Sequence, residues 1–336
     1  MRSTLLTLIG LSAAVLWLPV SAAPVAFVLQ DLDSRQTLMS SNASLPVNPG
    51  SLVNLMTARA LAEIRPEESA ETIVKTIREA SDALPPDLQK TVGELAVRLG
   101  MTRSSFISLK GTADPNQAST ATDLAALASD SFLNNRTLLE ALTDFGTLPA
   151  AASRHRSLFW RESTLFGLVS DGGDNQWSGL IISVNPKSNG SVRRTLAVVL
   201  NAENAQDLAD TAAAMITDVN LSFETLTVIR KGDITGSVPV YKGTEKELKV
   251  AAAKDAVITL KRSEIADKGA DAFTIRMTCR LPVTAPIEEG TELGTLEMLF
   301  DGRPVASVPV AAAETVVAGS FWRRVSDTIR LAFNKN

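Results

Sequence analysis

Residues 26–58, AFVLQDLDSRQTLMSSNASLPVNPGSLVNLMTA, combine a strand pattern with a helix pattern, and this combination decides the fold. The first half reads as two short strands joined by the polar turn Asp33-Ser34-Arg35. After Pro49-Gly50 the spacing of apolar residues becomes helical, so we expect a helix to begin near Ser51. Strands followed by a helix predict a sheet with helices packed on its faces.

The start of this helix raises a question of chemistry. Ser51 opens the apolar-periodic run, and Asn54 follows one helical turn later. A lysine at the position of Asn54 would activate the serine as a nucleophile, but a neutral amide cannot accept a proton near pH 7. Ser51 is therefore either a nucleophile served by another base or a residue that only caps the helix.

The rest of the chain first contains both helical and strand patterns and then, in its last third, mainly short strand patterns. Helical periodicity covers residues 68–100, with a break at Pro85-Pro86. Residues 165–201 show strand patterns, and residues 202–219 form a further helical stretch. The segment 119–128 predicts an N-capped helix. From about residue 224, short apolar runs are separated by Gly, Pro and Asp turns, which predicts a small all-β sandwich.

Residues 321–336, FWRRVSDTIRLAFNKN, predict an amphipathic helix. Its apolar face consists of Phe321, Trp322, Val325, Ile329 and Phe333, and basic side chains flank this face. Such a helix suits the surface of an anionic membrane, although an amphipathic helix could also dock on its own domain. We expect it to lie on the surface of the inner membrane.

Residues 1–22 predict a signal peptide. Met1-Arg2 precedes an apolar stretch, and Val20-Ser21-Ala22 supplies the small residues needed for cleavage after Ala22. The alternative is an uncleaved transmembrane anchor, which the short run ending in Pro19 disfavours. We therefore expect a secreted, periplasmic protein.

The composition excludes several other functions. The chain has 336 residues and a net charge of −4, so there is no global reason to expect nucleic-acid binding. Cys279 is the only cysteine and His155 the only histidine, so neither an intrachain disulfide nor a conventional His/Cys zinc site is expected. We expect no metal and no cofactor.

A resemblance to a known family is carried by five stretches. They are residues 26–58, LGMTRSSFISLKGTADPNQASTATDLAALA (99–128), RHRSLFWRESTLFGLVSDGG (154–173), PVYKGTEKELKVAAAKDAVITLKR (239–262) and APIEEGTELGTLEMLFDGRPVASVPVAA (285–312). Nearly the whole chain resembles a low-molecular-mass penicillin-binding protein of the D-alanyl-D-alanine carboxypeptidase family. The resemblance implies an α/β (α+β) transpeptidase-like domain over residues 23–222, a β-sandwich over 223–318 and a membrane-association helix over 319–336.

The family's chemistry rests on three motifs, and this chain departs from each of them. At Ser-x-x-Lys, Ser51 is kept and Asn54 replaces the lysine. The Ser-x-Asn motif has Ser81-Asp82-Ala83 as its nearest counterpart, within an interval shorter than the family's, which predicts a reduced helical subdomain. Lys-Thr-Gly aligns with Val169-Ser170-Asp171, where Val169 cannot hold a carboxylate and Asp171 would repel it.

Other candidate residues have ordinary structural explanations. His155 could serve Ser51 as a base but is expected to be structural. The loop Asp171-Gly172-Gly173-Asp174 could suggest a cation site but is better read as a polar turn, because it lacks the spaced oxygen ligands of calcium loops. Trp160 and Trp177 could stack on a sugar ring, and core packing explains them equally well.

Two functions from different classes follow from these observations. In the first, the chain is a pseudoenzyme that keeps the carboxypeptidase fold and acts at the cell wall by binding peptidoglycan or a cell-wall enzyme. In the second, it is a divergent carboxypeptidase that removes terminal D-Ala from peptidoglycan stem peptides through Ser51. The loss of all three motifs favours the first.

Overall fold

The computed structural model describes residues 25–79, 84–112, 114–144, 164–171, 176–186 and 192–333. Within these ranges the chain forms an antiparallel sheet with helices on both faces, followed by an all-β part and a final helix. The predicted α+β class and the β-rich second half are confirmed.

The first sheet contains five strands in the order β2-β1-β5-β4-β3, and all neighbours are antiparallel. Its strands are β1 (Ala26–Asp31), β2 (Thr37–Ser41), β3 (Thr164–Asp171), β4 (Trp177–Pro186) and β5 (Val192–Ala202). The predicted turn joins β1 to β2, and Arg35 in it adopts a φ of 59°. Strand β2 of this hairpin lies at one edge of the sheet, and β3 lies at the opposite edge.

Helices cover the two faces of this sheet unequally. The helices of the first part are α1 (Val53–Ile64), α2 (Ala70–Glu79), α3 (Leu88–Arg98), α4 (Ala121–Asn134), α5 (Arg136–Asp144) and α6 (Ala205–Ser222). In β5, Leu196 and Val198 pack on the side of α1 to α5, whereas Ala197 and Val199 pack beneath α6. Because β5 is buried on both faces, its sequence is a continuous apolar run rather than an alternating one.

The predicted helix breaks and caps are found in the structure. Pro85-Pro86 lies between α2 and α3, where a proline without an N–H group is tolerated. Thr120 caps α4 through a hydrogen bond from the Asp123 N–H to its hydroxyl oxygen. The helical signal in residues 68–100 therefore corresponds to two helices.

The all-β part contains a six-stranded sheet in the order β10-β12-β13-β8-β7-β11 and a two-stranded sheet, β6-β9. Its strands are β6 (Phe223–Ile229), β7 (Ile234–Tyr241), β8 (Glu247–Ala252), β9 (Ala256–Lys261), β10 (Phe273–Cys279), β11 (Val283–Thr284), β12 (Glu292–Phe300) and β13 (Arg303–Ala312). A short helix, α7 (Arg262–Lys268), follows β9. Strand β8 has a weaker apolar signal in the sequence, because its outward Glu247 and Lys249 alternate with the inward Leu248 and Val250.

The two parts are joined without a linker, since α6 ends at Ser222 and β6 begins at Phe223. A buried polar network crosses this junction. The Arg193 guanidinium donates to the carbonyl oxygens of Val219 and Phe223, both at 2.7 Å. The Thr225 hydroxyl donates to the carboxylate of Asp31 at 2.9 Å. Strand β1, β5 and the end of α6 are thereby tied to β6.

The final helix, α8 (Phe321–Phe333), docks on the β part through polar groups. The Lys242 N–H donates to the carboxylate of Asp327 at 2.6 Å, and the Arg323 guanidinium donates to the Thr244 carbonyl oxygen at 2.7 Å. The predicted apolar face is turned outward, with 62% of Phe321 and 78% of Trp322 exposed. None of the described helices combines the length and the apolar character that crossing a membrane requires.

Candidate active site

Ser51 lies in a 3-10 turn, Gly50–Leu52, that leads directly into α1. The turn is held by Asn48, whose side-chain oxygen accepts the Gly50 N–H at 3.0 Å and whose amide donates to the Asp114 carbonyl oxygen at 3.1 Å. Neither this turn nor α1 begins with a side-chain capping bond. The explanation of Ser51 as a helix cap is therefore wrong.

Ser51 meets the strand that carries the third motif. Its N–H group donates a hydrogen bond of 2.7 Å to the hydroxyl oxygen of Ser170, whose side chain is fully buried in β3. The structure thus brings the first and third motif positions together, although they are 119 residues apart in sequence. The backbone N–H of Ser51 makes this contact, and the Ser170 hydroxyl that accepts it is not a base near pH 7.

Val169 does not face Ser51. Successive side chains of a strand point to opposite faces of the sheet, and Val169 belongs to the buried apolar cluster of Leu208 and Val199 beneath α6. A side chain at position 169 in this register packs away from any ligand at Ser51. Asp171 is the last residue of β3.

Asn54 occupies the space next to Ser51 and contacts a residue that the sequence analysis missed. Gly111 has a φ of +73°, and a Cβ atom added to it would lie 2.8 Å from the Cα of Ser51 and 3.0 Å from the side-chain oxygen of Asn54. This oxygen is buried and accepts no hydrogen bond within the described part of the chain. In the sequence, this contact is indicated only by the glycine that follows Lys110 in the stretch 99–128. Glycine is favoured where two backbone segments approach closely.

The segment around Gly111 is fixed in place over Ser51 by side chains from both sides. The Thr57 hydroxyl of α1 donates to the Leu109 carbonyl oxygen at 2.7 Å. The side-chain oxygen of Gln117, which is 2% exposed, accepts the Ser108 N–H at 2.9 Å. Lys110, which follows these two anchored residues and precedes Gly111, is half-buried and is the charged residue of the segment 108–112.

Several predicted residues do not contribute to this geometry. Ser81, His155 and Trp160 lie outside the described residues, and so does the loop 172–175. Trp177 is half-buried at the start of β4 and packs against the apolar cluster beneath α6, which supports its interpretation as a core residue. Cys279 is partly buried in β10, and burial raises the pKa of its thiol, so the less nucleophilic protonated form is favoured.

The candidate active site therefore consists of a half-buried serine, an amide one turn later, a buried hydroxyl from β3 and a glycine segment packed across them. The position at which a lysine would accept the serine proton is occupied by Asn54, whose side chain adjoins Gly111.

Comparison with known proteins identifies relatives of both parts. Residues 223–318 match the family described as penicillin-binding protein 5, C-terminal domain. The D-alanyl-D-alanine carboxypeptidase DacC of Escherichia coli (strain K12) is 24% identical over 244 residues, covering 71% of this chain and 59% of that protein. The carboxypeptidase DacF of Bacillus subtilis (strain 168) is 25% identical over 243 residues, covering 69% of this chain and again 59% of that protein.

The fold agrees with that of a solved relative. Penicillin-binding protein 5 of Haemophilus influenzae superposes with a TM-score of 0.65 at 16% identity, covering 87% of this chain and 97% of that chain. The alignments with the two curated relatives span about three fifths of their length. The sequence and the fold are thus similar to those of the low-molecular-mass penicillin-binding proteins of the D-alanyl-D-alanine carboxypeptidase family, and residues 223–318 match the C-terminal domain of penicillin-binding protein 5.

Proposed function

We propose that this chain belongs to the carboxypeptidase family as a pseudoenzyme of the cell wall, which keeps the carboxypeptidase fold and binds peptidoglycan or a cell-wall enzyme without hydrolysis. The observation that carries the proposal is the pair Ser51 and Asn54. Serine attack needs a group that removes the hydroxyl proton, and the residue one turn later is a neutral amide next to Gly111. The hydroxyl of Ser170, the other motif side chain at this point, is no substitute.

The second candidate function is a divergent carboxypeptidase that cleaves D-Ala from stem peptides through Ser51. One observation favours it: Ser51 is only half-buried as a residue. A base would then have to come from elsewhere. Lys110 is the first residue to test, because its neighbour Gly111 lies against Ser51.

Covalent labelling with a fluorescent penicillin tests the proposal. We expect the purified chain to show no more labelling than its Ser51→Ala variant, since loss of an activating base costs on the order of 10⁴- to 10⁶-fold in rate. DacC of Escherichia coli, prepared in the same way, serves as the positive control. Cosedimentation with isolated peptidoglycan then separates wall binding from binding to a protein partner.

Labelling that depends on Ser51 would overturn the pseudoenzyme proposal. In that case a Lys110→Ala variant decides where the base lies. If labelling is lost with the lysine, the divergent carboxypeptidase with Lys110 as its base becomes the better account. If labelling persists, the base belongs to another residue.

We further propose that the chain is periplasmic and attached to the inner membrane through α8. The support is the outward apolar face of this helix, with Phe321, Trp322 and Ile329 more than half exposed, and the basic residues Arg323 and Arg324 beside it. An apolar face next to basic side chains suits the interface of an anionic bilayer.

Flotation with phosphatidylglycerol vesicles measures this attachment. We expect the double substitution Phe321→Ser and Trp322→Ser to weaken binding by at least about tenfold, since burial of each aromatic side chain contributes about 1.5–3 kcal/mol. The matched control is Val97→Ser on α3, because Val97 is 83% exposed and lies outside α8. Equal binding by the two variants would show that α8 is not the attachment site.

A further inference from the structure

A groove separates α8 from the β part beneath it. It has a volume of about 560 Å³, within the range of roughly 300–1,000 Å³ that is usual for small-molecule sites. One wall is formed by Phe321, Val325 and Ile329 of α8, and the other by Ala285 and Pro286 just after β11. The groove arises because α8 docks through Asp327 and Arg323, which keeps its apolar side chains off the β sheet.

Two cations line the same groove. Lys242 comes from the end of β7 and Arg324 from α8. Within the described residues, neither forms an ion pair with an acidic side chain. The nearby carboxylate of Asp327 is already engaged, since it accepts the Lys242 N–H at 2.6 Å and lies 4.0 Å from the Arg330 guanidinium. The groove therefore offers an apolar wall and two positive charges.

We propose that this groove holds one anionic phospholipid, with an acyl chain against Phe321, Val325 and Ile329 and the phosphate between Lys242 and Arg324. The inference rests on the proposed attachment of α8 to the membrane and adds a lipid site to which the β domain contributes. An anionic phospholipid supplies an acyl chain for the apolar wall and a phosphate for the two cations, whereas a free phosphate would leave the apolar wall unused.

The position of Lys242 supports a preformed site. Its backbone has a φ of 62°, and its N–H and carbonyl groups bond to Asp327 and to the N–H of Gly319, the latter at 2.7 Å. These bonds hold Lys242 and α8 in a fixed relation before any lipid arrives. A site assembled in advance loses less conformational entropy when it binds.

The test uses the full chain and vesicles of phosphatidylglycerol or phosphatidylcholine. Lys242→Asn removes the charge and keeps a residue that tolerates positive φ. We expect about fivefold weaker binding to phosphatidylglycerol vesicles, which corresponds to about 1 kcal/mol per basic residue at an anionic surface. The matched control Lys246→Asn removes an exposed lysine that does not line the groove and should have a smaller effect. Neither variant should change binding to phosphatidylcholine.

A second variant blocks the apolar half of the groove. Thr284 is exposed at the end of β11, so Thr284→Trp should fill the groove from the β side and leave the sequence of α8 intact. We expect binding to fall by more than about tenfold, because each buried methylene group of the chain contributes about 0.8 kcal/mol. A circular dichroism melt verifies that the variant is folded.

The outcomes separate this inference from the attachment on which it rests. If Lys242→Asn and Thr284→Trp both bind like the unmodified chain while the Phe321/Trp322 variant does not, α8 is a general interfacial anchor and the groove proposal is overturned. If the unmodified chain does not float with either lipid, the attachment proposal fails first. Weaker binding by both groove variants, together with unchanged binding by the Lys246→Asn variant, supports the lipid site.

Discussion

Replacement of Arg193 by methionine is expected to lower the free energy of unfolding by about 3–5 kcal/mol, the usual cost of removing one member of a buried charge pair. Arg193 is 2% exposed and donates to the carbonyl oxygens of Val219 and Phe223 at 2.7 Å. Its guanidinium also lies 3.9 Å from the carboxylate of Asp31, which is fully buried. Methionine fills similar space but leaves two carbonyl groups without their donor and the buried Asp31 carboxylate without a nearby positive charge.

The neighbouring residue provides the control. Arg194 is 45% exposed at its side chain and pairs with Asp33 at 2.6 Å, so Arg194→Met should cost less than about 1 kcal/mol. Urea denaturation of the purified chain, followed by circular dichroism and by tryptophan fluorescence, measures both variants. Similar losses in the two variants would show that the buried network contributes no more than a surface ion pair.

The effect of Arg193→Met is expected to reach both parts of the protein. The hydroxyl of Thr259, from β9, contacts those of Ser34 at 2.9 Å and Thr225 at 3.0 Å. The carboxylate of Asp31 accepts from both Thr225 and Ser34. Since these residues belong to both parts and no linker separates α6 from β6, loosening one contact should expose the whole junction to a protease.

The fold could be predicted from the sequence where local patterns and tertiary packing agree. The turn after β1, the break at Pro85-Pro86 and the buried run of β5 each have a local physical cause that the packing preserves. Strand β8 is harder to predict, because its charged residues interrupt the apolar run. The docking of α8 through Asp327 could not be foreseen either, since it depends on a backbone N–H of Lys242 that no sequence pattern marks.

The site was predictable in its members but not in its geometry. The motif comparison pointed to Ser51, Asn54 and Ser170, and the structure brings the first and last of these into hydrogen-bonding contact. The orientation of Val169 depends on strand register, and the contact of Gly111 with Ser51 depends on how a loop returns to the helix. Both are tertiary properties, and so is the 3-10 turn at Ser51, where the sequence left a helix cap as one of two interpretations.

Gly111→Ala is expected to lower the free energy of unfolding by about 2–5 kcal/mol. A φ of +73° costs an L residue roughly 1–2 kcal/mol, and the added methyl group would lie 2.8 Å from the Cα of Ser51, a contact whose relief costs about 1–3 kcal/mol. The backbone atom cannot rotate away as a flexible side chain would. The segment 108–112 must therefore move off Ser51 and Asn54 or shift the start of α1.

Gly100→Ala isolates the contact from the backbone strain. Gly100 has a φ of +71° but nothing within 4 Å of an added Cβ atom, so its substitution should cost only about 1–2 kcal/mol. Thermal and urea unfolding of the two variants give the difference that belongs to the contact with Ser51. Equal losses of unfolding free energy in the two variants would mean that a side chain at position 111 makes no unfavourable contact with Ser51. A larger loss at Gly111 supports a site in which Asn54, not a base, is packed between the serine helix and this segment.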